Sequence, residues 1–192
     1  MKVQVYKSGE IIPQILSVSA AEEVFPEFKQ IMRCPSCLSY LEYRDEGEKI
    51  QYCMNESCEK KIIGQIVHFC SRAALNIVGI SERTIEKLHR MKLLLTISDI
   101  YSIHKHKKEI YSCRELEIKE KMFSNLTSAI EESKKTEPSR ILVGLGIDHV
   151  GEEISRLLLK NFGSIEKIFK SSVEEKLNIP GIGPKCVHAI DC

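Results

Sequence analysis

The sequence has no tryptophan, only 6% aromatic residues and almost no net charge, at +1. No apolar run approaches the ~20 residues that a membrane-spanning helix requires. The N-terminus, from Met1 to Tyr6, alternates apolar and polar residues and therefore lacks the continuous apolar core of a secretion signal. We expect neither a secreted nor a membrane protein and predict a cytoplasmic location. Because the charge is nearly balanced, any affinity for nucleic acid has to come from local groups.

The composition, 43% hydrophobic and 29% charged over 192 residues, is typical of a soluble globular chain of one or two domains. The middle third is the most basic part, with lysines at 105, 107, 108, 119 and 121. A solvated helix face explains these charges as well as contact with DNA does.

The first 19 residues predict a β-ribbon. Lys2–Tyr6 alternates, Lys7–Glu10 reads as a turn, and Ile11–Val18 reads as a second strand. Two strands do not form a stable domain alone, so the ribbon either packs on the next part of the chain or is the remnant of a larger β-barrel. A polar connector, Ala20–Gln30, completes the region 1–30.

Four cysteines in two close pairs carry the most specific chemical signal. Cys34 and Cys37 are followed about fifteen residues later by Cys53 and Cys58, the spacing of structural Cys₄ zinc sites. Residues 38–43 and 49–52 alternate as two strands would, with 45–48 as the turn between them. We therefore predict a zinc ribbon over residues 31–60, with a structural rather than hydrolytic ion, because four thiolates leave zinc no open position.

The remaining thiols show no such pattern. A redox role for Cys34-Pro35-Ser36-Cys37 is weaker, since a thioredoxin-type setting is absent. We interpret Cys70, Cys113, Cys186 and Cys192 as unpaired and reduced, and His68 as a packed or capping residue rather than a fifth ligand.

From Lys60 onward the pattern becomes helical and repeats. Four short turns have apolar centres 38, 32 and 32 residues apart, and each precedes an amphipathic run; they are Gly79-Ile80-Ser81, Glu117-Ile118-Lys119, His149-Val150-Gly151 and Gly181-Ile182-Gly183. We call them hairpins 1 to 4. They predict a four-unit helix-hairpin-helix region, with pairs at 61–137 and 138–192 separated by the helix-ending Pro138. We expect the second pair to be truncated and its last helix, near Cys192, to be prone to fray.

A glycine turn that opens a helix exposes backbone N–H groups and so favours an anion such as a nucleic-acid phosphate. Hairpin 2 has Glu117 and Lys119 in place of glycines, so we expect it to be chiefly scaffold. The predicted DNA contacts are Gly79, Ser81, His149, Gly151, Gly181, Gly183 and Lys185.

Two stretches closely resemble bacterial NAD-dependent DNA ligases: residues 65–77, directly after the cysteine ribbon, and residues 145–164, which include Leu145-Gly146-Ile147-Asp148-His149-Val150-Gly151. Residues 7–15 resemble the end of the ligase OB-fold. The resemblance covers essentially the whole chain. It implies a mainly α-helical protein with a small β part: an OB-fold remnant, a Cys₄ zinc ribbon and four helix-hairpin-helix units.

The ligase reaction uses NAD to adenylate a lysine in a Lys-x-Asp-Gly motif, and this motif does not occur here. We therefore assign no catalytic residues and expect no ligation by this chain alone. NAD would act only through a missing or separately encoded adenylation domain, and double-stranded or nicked DNA is the expected partner. The alternatives are an autonomous zinc-containing helix-hairpin-helix DNA-binding or scaffold protein, and a degenerate fragment that has lost DNA binding.

Overall fold

The computed structural model describes residues 2–9, 12–19, 30–44 and 47–191. They form a β-ribbon, a small cysteine-bearing unit and a helical region, in that order. This is the mainly helical architecture with a small β part that the sequence predicts. Among these residues, no helix combines the length and the apolarity needed to cross a membrane.

The N-terminal ribbon pairs β1 (Lys2–Ser8) with β2 (Ile12–Ser19) in antiparallel register, with a bulge after Gln4. The apolar side chains described on its two strands lie in solvent; Val5 is 55% exposed and Leu16 is 66% exposed. The ribbon thus gains no core from the described residues, and its interpretation as a barrel remnant stays a prediction. Most of the expected connector, residues 20–29, lies outside the described residues.

The cysteine-bearing unit has shorter strands than the alternation predicts: β3 is Leu41–Glu42 and β4 is Tyr52–Cys53. The first predicted strand starts late because Leu38 adopts a left-handed conformation (φ 63°) and its N–H donates to the carbonyl of Cys34 at 2.9 Å. That closes a tight turn around the first cysteine pair. Two residues of the predicted inter-strand turn, 45 and 46, lie outside the described residues.

The helical region contains nine α-helices within the described residues. They are α1 (Glu59–Cys70), α2 (Glu82–Arg90), α3 (Lys107–Ser112), α4 (Glu120–Ser133), α5 (Pro138–Gly144), α6 (Glu152–Phe162), α7 (Ile165–Lys170), α8 (Val173–Leu177) and α9 (Pro184–Asp191), with 3-10 segments at Ile97–His106 and Arg114–Leu116. As predicted, α2 begins after Ser81, whose hydroxyl accepts from the N–H of Thr84 at 3.2 Å.

Two hydrophobic cores organise these helices. The first joins α1, α2, α3 and α4, and the second joins α5, α6, α7 and α9. Between them stands Pro138, which occupies the first turn of α5, where its missing N–H costs no hydrogen bond. Ile118 of hairpin 2 lies in the first core, and Val150 and Ile182 of hairpins 3 and 4 lie in the second; the predicted domain bounds stay a prediction.

The two cores pack directly against each other at the end of α5. A Cβ atom placed on Gly144 would lie 2.9 Å from Cδ1 of Leu75 and 3.0 Å from Cδ2 of Phe69. Beside this contact, Nε of Arg140 donates to the carbonyl of Ala74 at 2.6 Å. Glycine is therefore required here for close approach.

The last helix is better packed than its length suggests. The side chains of Cys186, Val187 and Ile190 on α9 are buried in the second core. Lys176 of α8 is fully buried, and its Nζ donates to Oδ1 of Asp191 at 2.6 Å and to the carbonyl of Ser171 at 2.8 Å. The expected fraying is thus opposed by apolar burial and a partly buried ion pair at the end of the helix.

Candidate zinc site and nucleic-acid interface

The four predicted zinc ligands come together in one cluster. The sulfur atoms of Cys34, Cys37, Cys53 and Cys58 all lie within 4.8 Å of one another. The distances are 3.9 Å between the sulfurs of Cys34 and Cys58 and 3.5 Å between those of Cys37 and Cys53. A tetrahedral zinc ion with Zn–S bonds of ~2.3 Å places its sulfurs about 3.8 Å apart, so the donors fit zinc.

Local hydrogen bonds shape the cluster. The N–H of Cys34 donates to the carbonyl of Ser39 at 2.8 Å, and the N–H of Cys58 donates to the carbonyl of Asn55 at 3.2 Å. Cys58 is also the N-cap residue of α1. The second cysteine pair therefore fixes the start of the helical region relative to the ribbon.

The thiols differ in how readily they ionise. Hydrogen bonding from Ser39 lowers the pKa of Cys37 to about 6, and the backbone N–H of Lys61, at the start of α1, lowers the pKa of Cys58. Burial raises the pKa of Cys53 to about 12, with the neighbouring thiols adding to the effect. These hydrogen bonds favour ionisation of Cys37 and Cys58, and a bound cation would favour ionisation of Cys53.

The ion would contribute folding energy rather than catalysis, since all four positions around it are taken by protein sulfur. Other thiols lie outside the cluster: within the described residues, Cys70, Cys113 and Cys186 are free. His68 is also elsewhere, because its Nε2 lies 2.8 Å from the carbonyl oxygen of Val143. Cys192 lies outside the described residues.

The four hairpins share one backbone conformation at their first residue. Gly79, Glu117, His149 and Gly181 have φ angles of 98°, 52°, 65° and 96°, all in the left-handed region. Glycine adopts this conformation freely, whereas glutamate and histidine do so at a cost. The turn geometry is therefore kept in all four units, including hairpin 2, where both glycines are lost.

The third residue of each hairpin directly precedes a helix. Ser81, Lys119 and Gly151 are the N-cap residues of α2, α4 and α6, and α9 begins immediately after Gly183. Four residues later, the side chains at 85, 123, 155 and 187 are all buried. The repeat alignment made from the sequence thus agrees with the structure at the turn, at the helix start and at the inward-facing position.

The predicted contacts are exposed, as an interface requires. Gly79, Ser81, His149, Gly151, Gly181, Gly183 and Lys185 all lie at the surface. Apart from the glycine itself and its two chain neighbours, no atom of the described residues lies within 4 Å of where a Cβ atom would stand on Gly151 or on Gly183, and Gly151 has an ordinary φ of −82°. Protein packing at Gly151 therefore does not require glycine, and the open space admits a phosphate close to the backbone.

The structure places hairpin 1 beside hairpin 2, and hairpin 4 beside α6. Gly79 and Val78 line a groove of about 450 Å³ with Glu117, Lys119 and Lys121, so hairpins 1 and 2 are neighbours. A Cβ atom on Gly181 would lie 3.5 Å from Cδ2 of Leu157 in α6, so hairpin 4 lies beside the helix that hairpin 3 opens.

Three contacts in the structure were not predicted from the sequence. Arg44 of the cysteine unit forms an ion pair with Asp148, 104 positions away. The other two are the Lys176–Asp191 pair and the close packing at Gly144. Only Gly144 had a signal, as a small residue within an apolar helical run.

A Cys₄ ribbon followed by hairpins that open helices defines a zinc-finger protein with a helix-hairpin-helix region. Two family models agree with this class. Residues 33–59 match the C4 zinc finger domain of NAD-dependent DNA ligase, and residues 140–191, which contain hairpins 3 and 4, match the helix-hairpin-helix motif.

The similar curated proteins are DNA ligases. The chain is 40% identical over 185 residues to one from Spiroplasma citri, covering 95% of the chain and 27% of that ligase. It is 34% identical over 190 residues to one from Mycoplasma mycoides subsp. mycoides SC, covering 98% of the chain and 28% of the relative. A ligase from Acholeplasma laidlawii is 36% identical over 191 residues, with the same coverage.

Residues 33–59 are therefore similar to the zinc-finger domain of NAD-dependent DNA ligases, and nearly all of the chain is similar to one part of bacterial DNA ligases. It spans a little more than a quarter of the length of the relatives it matches. The resemblance stated from its motifs is confirmed.

Proposed function

We propose that this chain is the sequence-independent, DNA-backbone-binding part of an NAD-dependent DNA ligase and that it does not seal nicks by itself. NAD and the adenylated lysine would belong to an adenylation domain, joined to this chain or encoded apart from it. The ligand of this part is double-stranded or nicked DNA.

The observation that carries the proposal is the shared geometry of the four hairpins. In each hairpin the first residue is left-handed, and a helix starts just after the third residue. This arrangement directs backbone N–H groups outward at a helix N-terminus, which favours a phosphate. Phosphate contacts position a protein on DNA without reading bases. Such contacts suit nick sealing, which has to work in any sequence.

The hairpins are not equivalent in this proposal. The third residue of hairpins 3 and 4 is a glycine, Gly151 and Gly183 respectively, at which an added side chain would enter open space. We call these two the open glycines. Hairpin 2 has the same backbone, but the carboxylate of Glu117 repels phosphate, so its role is mainly to support hairpin 1. Zinc contributes the folding energy of the ribbon from which α1 starts.

Binding of zinc-loaded protein to a nicked duplex at several salt concentrations tests the proposal. We expect salt-sensitive binding with no preference among sequences, and a slope of log K against log salt of about −0.9 for each phosphate bound. Salt-independent binding, or none, contradicts the proposal.

Substitution of the open glycines locates the phosphate-binding positions. Gly151→Val and Gly183→Val should weaken binding and reduce the salt slope by about 0.9 for each phosphate that the variant no longer binds. Gly64→Val is the matched control, because Gly64 is also an exposed glycine with open space around it, but it lies within α1. Equal affinity of all three variants and the unsubstituted protein contradicts a phosphate role for the hairpins.

A nick-sealing assay with NAD tests the catalytic part of the proposal. We expect no sealing by this chain alone and sealing only when an adenylation domain is supplied. Sealing by the chain alone contradicts it.

A further inference from the structure

The loop between α5 and α6, residues 145–151, carries hairpin 3 and contacts the zinc unit by two routes. The first route is α1, which starts at the ligand Cys58 and carries His68. The Nε2 atom of His68 lies 2.8 Å from the carbonyl oxygen of Val143, and a Cβ atom on Gly146 would lie 3.5 Å from the His68 ring. The first half of the loop therefore lies against a helix that begins at the metal site.

The second route is a side-chain contact across 104 positions. The guanidinium of Arg44 stacks over the ring of Tyr52 at 4.2 Å and forms an ion pair with Asp148. Tyr52 directly precedes the ligand Cys53, and Asp148 directly precedes His149, the left-handed first residue of hairpin 3. A short series of neighbours thus connects a zinc ligand with the second half of the loop.

We propose that Arg44 is a positioning residue, which through Asp148 holds hairpin 3 in its phosphate-binding position relative to the zinc ribbon. The DNA-binding part of this inference rests on the proposed function. Its consequence is that the zinc ribbon acts on DNA affinity through hairpin 3 and not only through overall stability.

The direction in which one substitution changes DNA affinity separates a positioning role from a simple charge effect. Asp148 is an acidic group beside a predicted DNA contact, so if only its charge mattered, Asp148→Asn would bind DNA more tightly. If Asp148 holds Arg44 and hairpin 3 in place, Asp148→Asn binds more weakly. The two side chains are 42% and 58% exposed, so the expected loss is that of a surface pair, about two- to fivefold in affinity.

The experiment measures the dissociation constant for a nicked duplex at one salt concentration, using protein with one zinc per chain. Variants are Asp148→Asn, Arg44→Gln and the double variant. We expect both single variants to bind more weakly, and the double variant to bind no more weakly than Arg44→Gln, because the same ion pair is removed in all three. Glu166→Gln is the control, since it neutralises an exposed, paired acid on α7.

A second measurement does not depend on DNA. Amide hydrogen exchange of residues 145–151 should be faster in Asp148→Asn and in Arg44→Gln than in the unsubstituted protein, and faster again after zinc chelation. Tighter binding by Asp148→Asn, or unchanged exchange in this segment, overturns the positioning role. A complete lack of DNA binding by the unsubstituted protein contradicts the proposed function, and hydrogen exchange then decides positioning by itself.

Discussion

Gly144, at the contact between the two cores, gives a direct test of how the halves of the helical region fit together. We predict that Gly144→Ala destabilises the protein, although alanine normally favours a helix over glycine by up to about 1 kcal/mol. The new methyl group would lie 2.9 Å from Leu75, 3.0 Å from Phe69 and 3.2 Å from the Cβ of Ala74. Comfortable carbon–carbon contacts lie at about 3.5–4.0 Å.

None of these neighbours can move freely. All three side chains are at least 97% buried, and the carbonyl of Ala74 is held by Arg140. Overpacking of this kind costs about 1–3 kcal/mol, which exceeds the gain in helix propensity. We therefore expect a net loss of about 1–2 kcal/mol in the free energy of unfolding.

Urea unfolding in the presence of excess zinc measures this loss. Gly64→Ala is the matched control, because Gly64 lies in α1 and the new methyl group would meet nothing within 4 Å except its chain neighbours and the nearby backbone of its own helix; it should stabilise by about 0.5–1 kcal/mol. The two substitutions are chemically identical and should have opposite signs. A Gly144→Ala protein as stable as the unsubstituted one would refute the close packing of the two cores.

The geometry leads to four further expected outcomes. Asp191→Asn should lower the free energy of unfolding by about 3 kcal/mol, because it leaves the buried charge of Lys176 without its ion-pair partner. Lys176→Met should lower it less, because that substitution removes the charge; equal losses in urea unfolding contradict the reasoning. Ser155→Ala should stabilise by about 1 kcal/mol in the same assay, because the buried hydroxyl has no hydrogen-bond partner among the described residues. Burial raises the pKa of Cys70 to about 12, so mass spectrometry after alkylation at pH 8 should find Cys70 modified more slowly than half-buried Cys113. The stability that the buried Cys70 thiol contributes below pH 9 should be lost as the pH rises from 9 towards 12. Zinc chelation should unfold the ribbon and expose its four thiols, which a thiol titration would count; full protection after chelation contradicts a structural ion.

Local spacing was sufficient to predict the metal site. Thiols three and five residues apart can turn toward one ion only through tight knuckles, so Cys34, Cys37, Cys53 and Cys58 could be predicted as ligands without coordinates. The hairpin register was predictable for a similar reason, since an apolar turn centre recurs at similar intervals and each precedes an amphipathic run. The α2 start at Ser81 follows from the same local chemistry.

The lengths of some elements could not be predicted as well. The alternation of apolar and polar residues predicted a ribbon strand from residue 38, but the structure uses Leu38 in a knuckle. The left-handed turn at Leu38 has no glycine to indicate it. The preserved turn at Glu117 is a similar case. Glycine content alone indicates that hairpin 2 has degenerated, whereas its backbone conformation matches that of the others.

The sequence by itself determined the zinc ligands, the order of the parts and the four-fold repeat, because each depends on residues close together in the chain. Only the tertiary structure decided which distant residues meet. Arg44 reaches Asp148, Lys176 pairs with Asp191, and Gly144 admits Leu75 and Phe69. Such contacts depend on how the two cores and the ribbon pack in space, and neither composition nor periodicity records that packing.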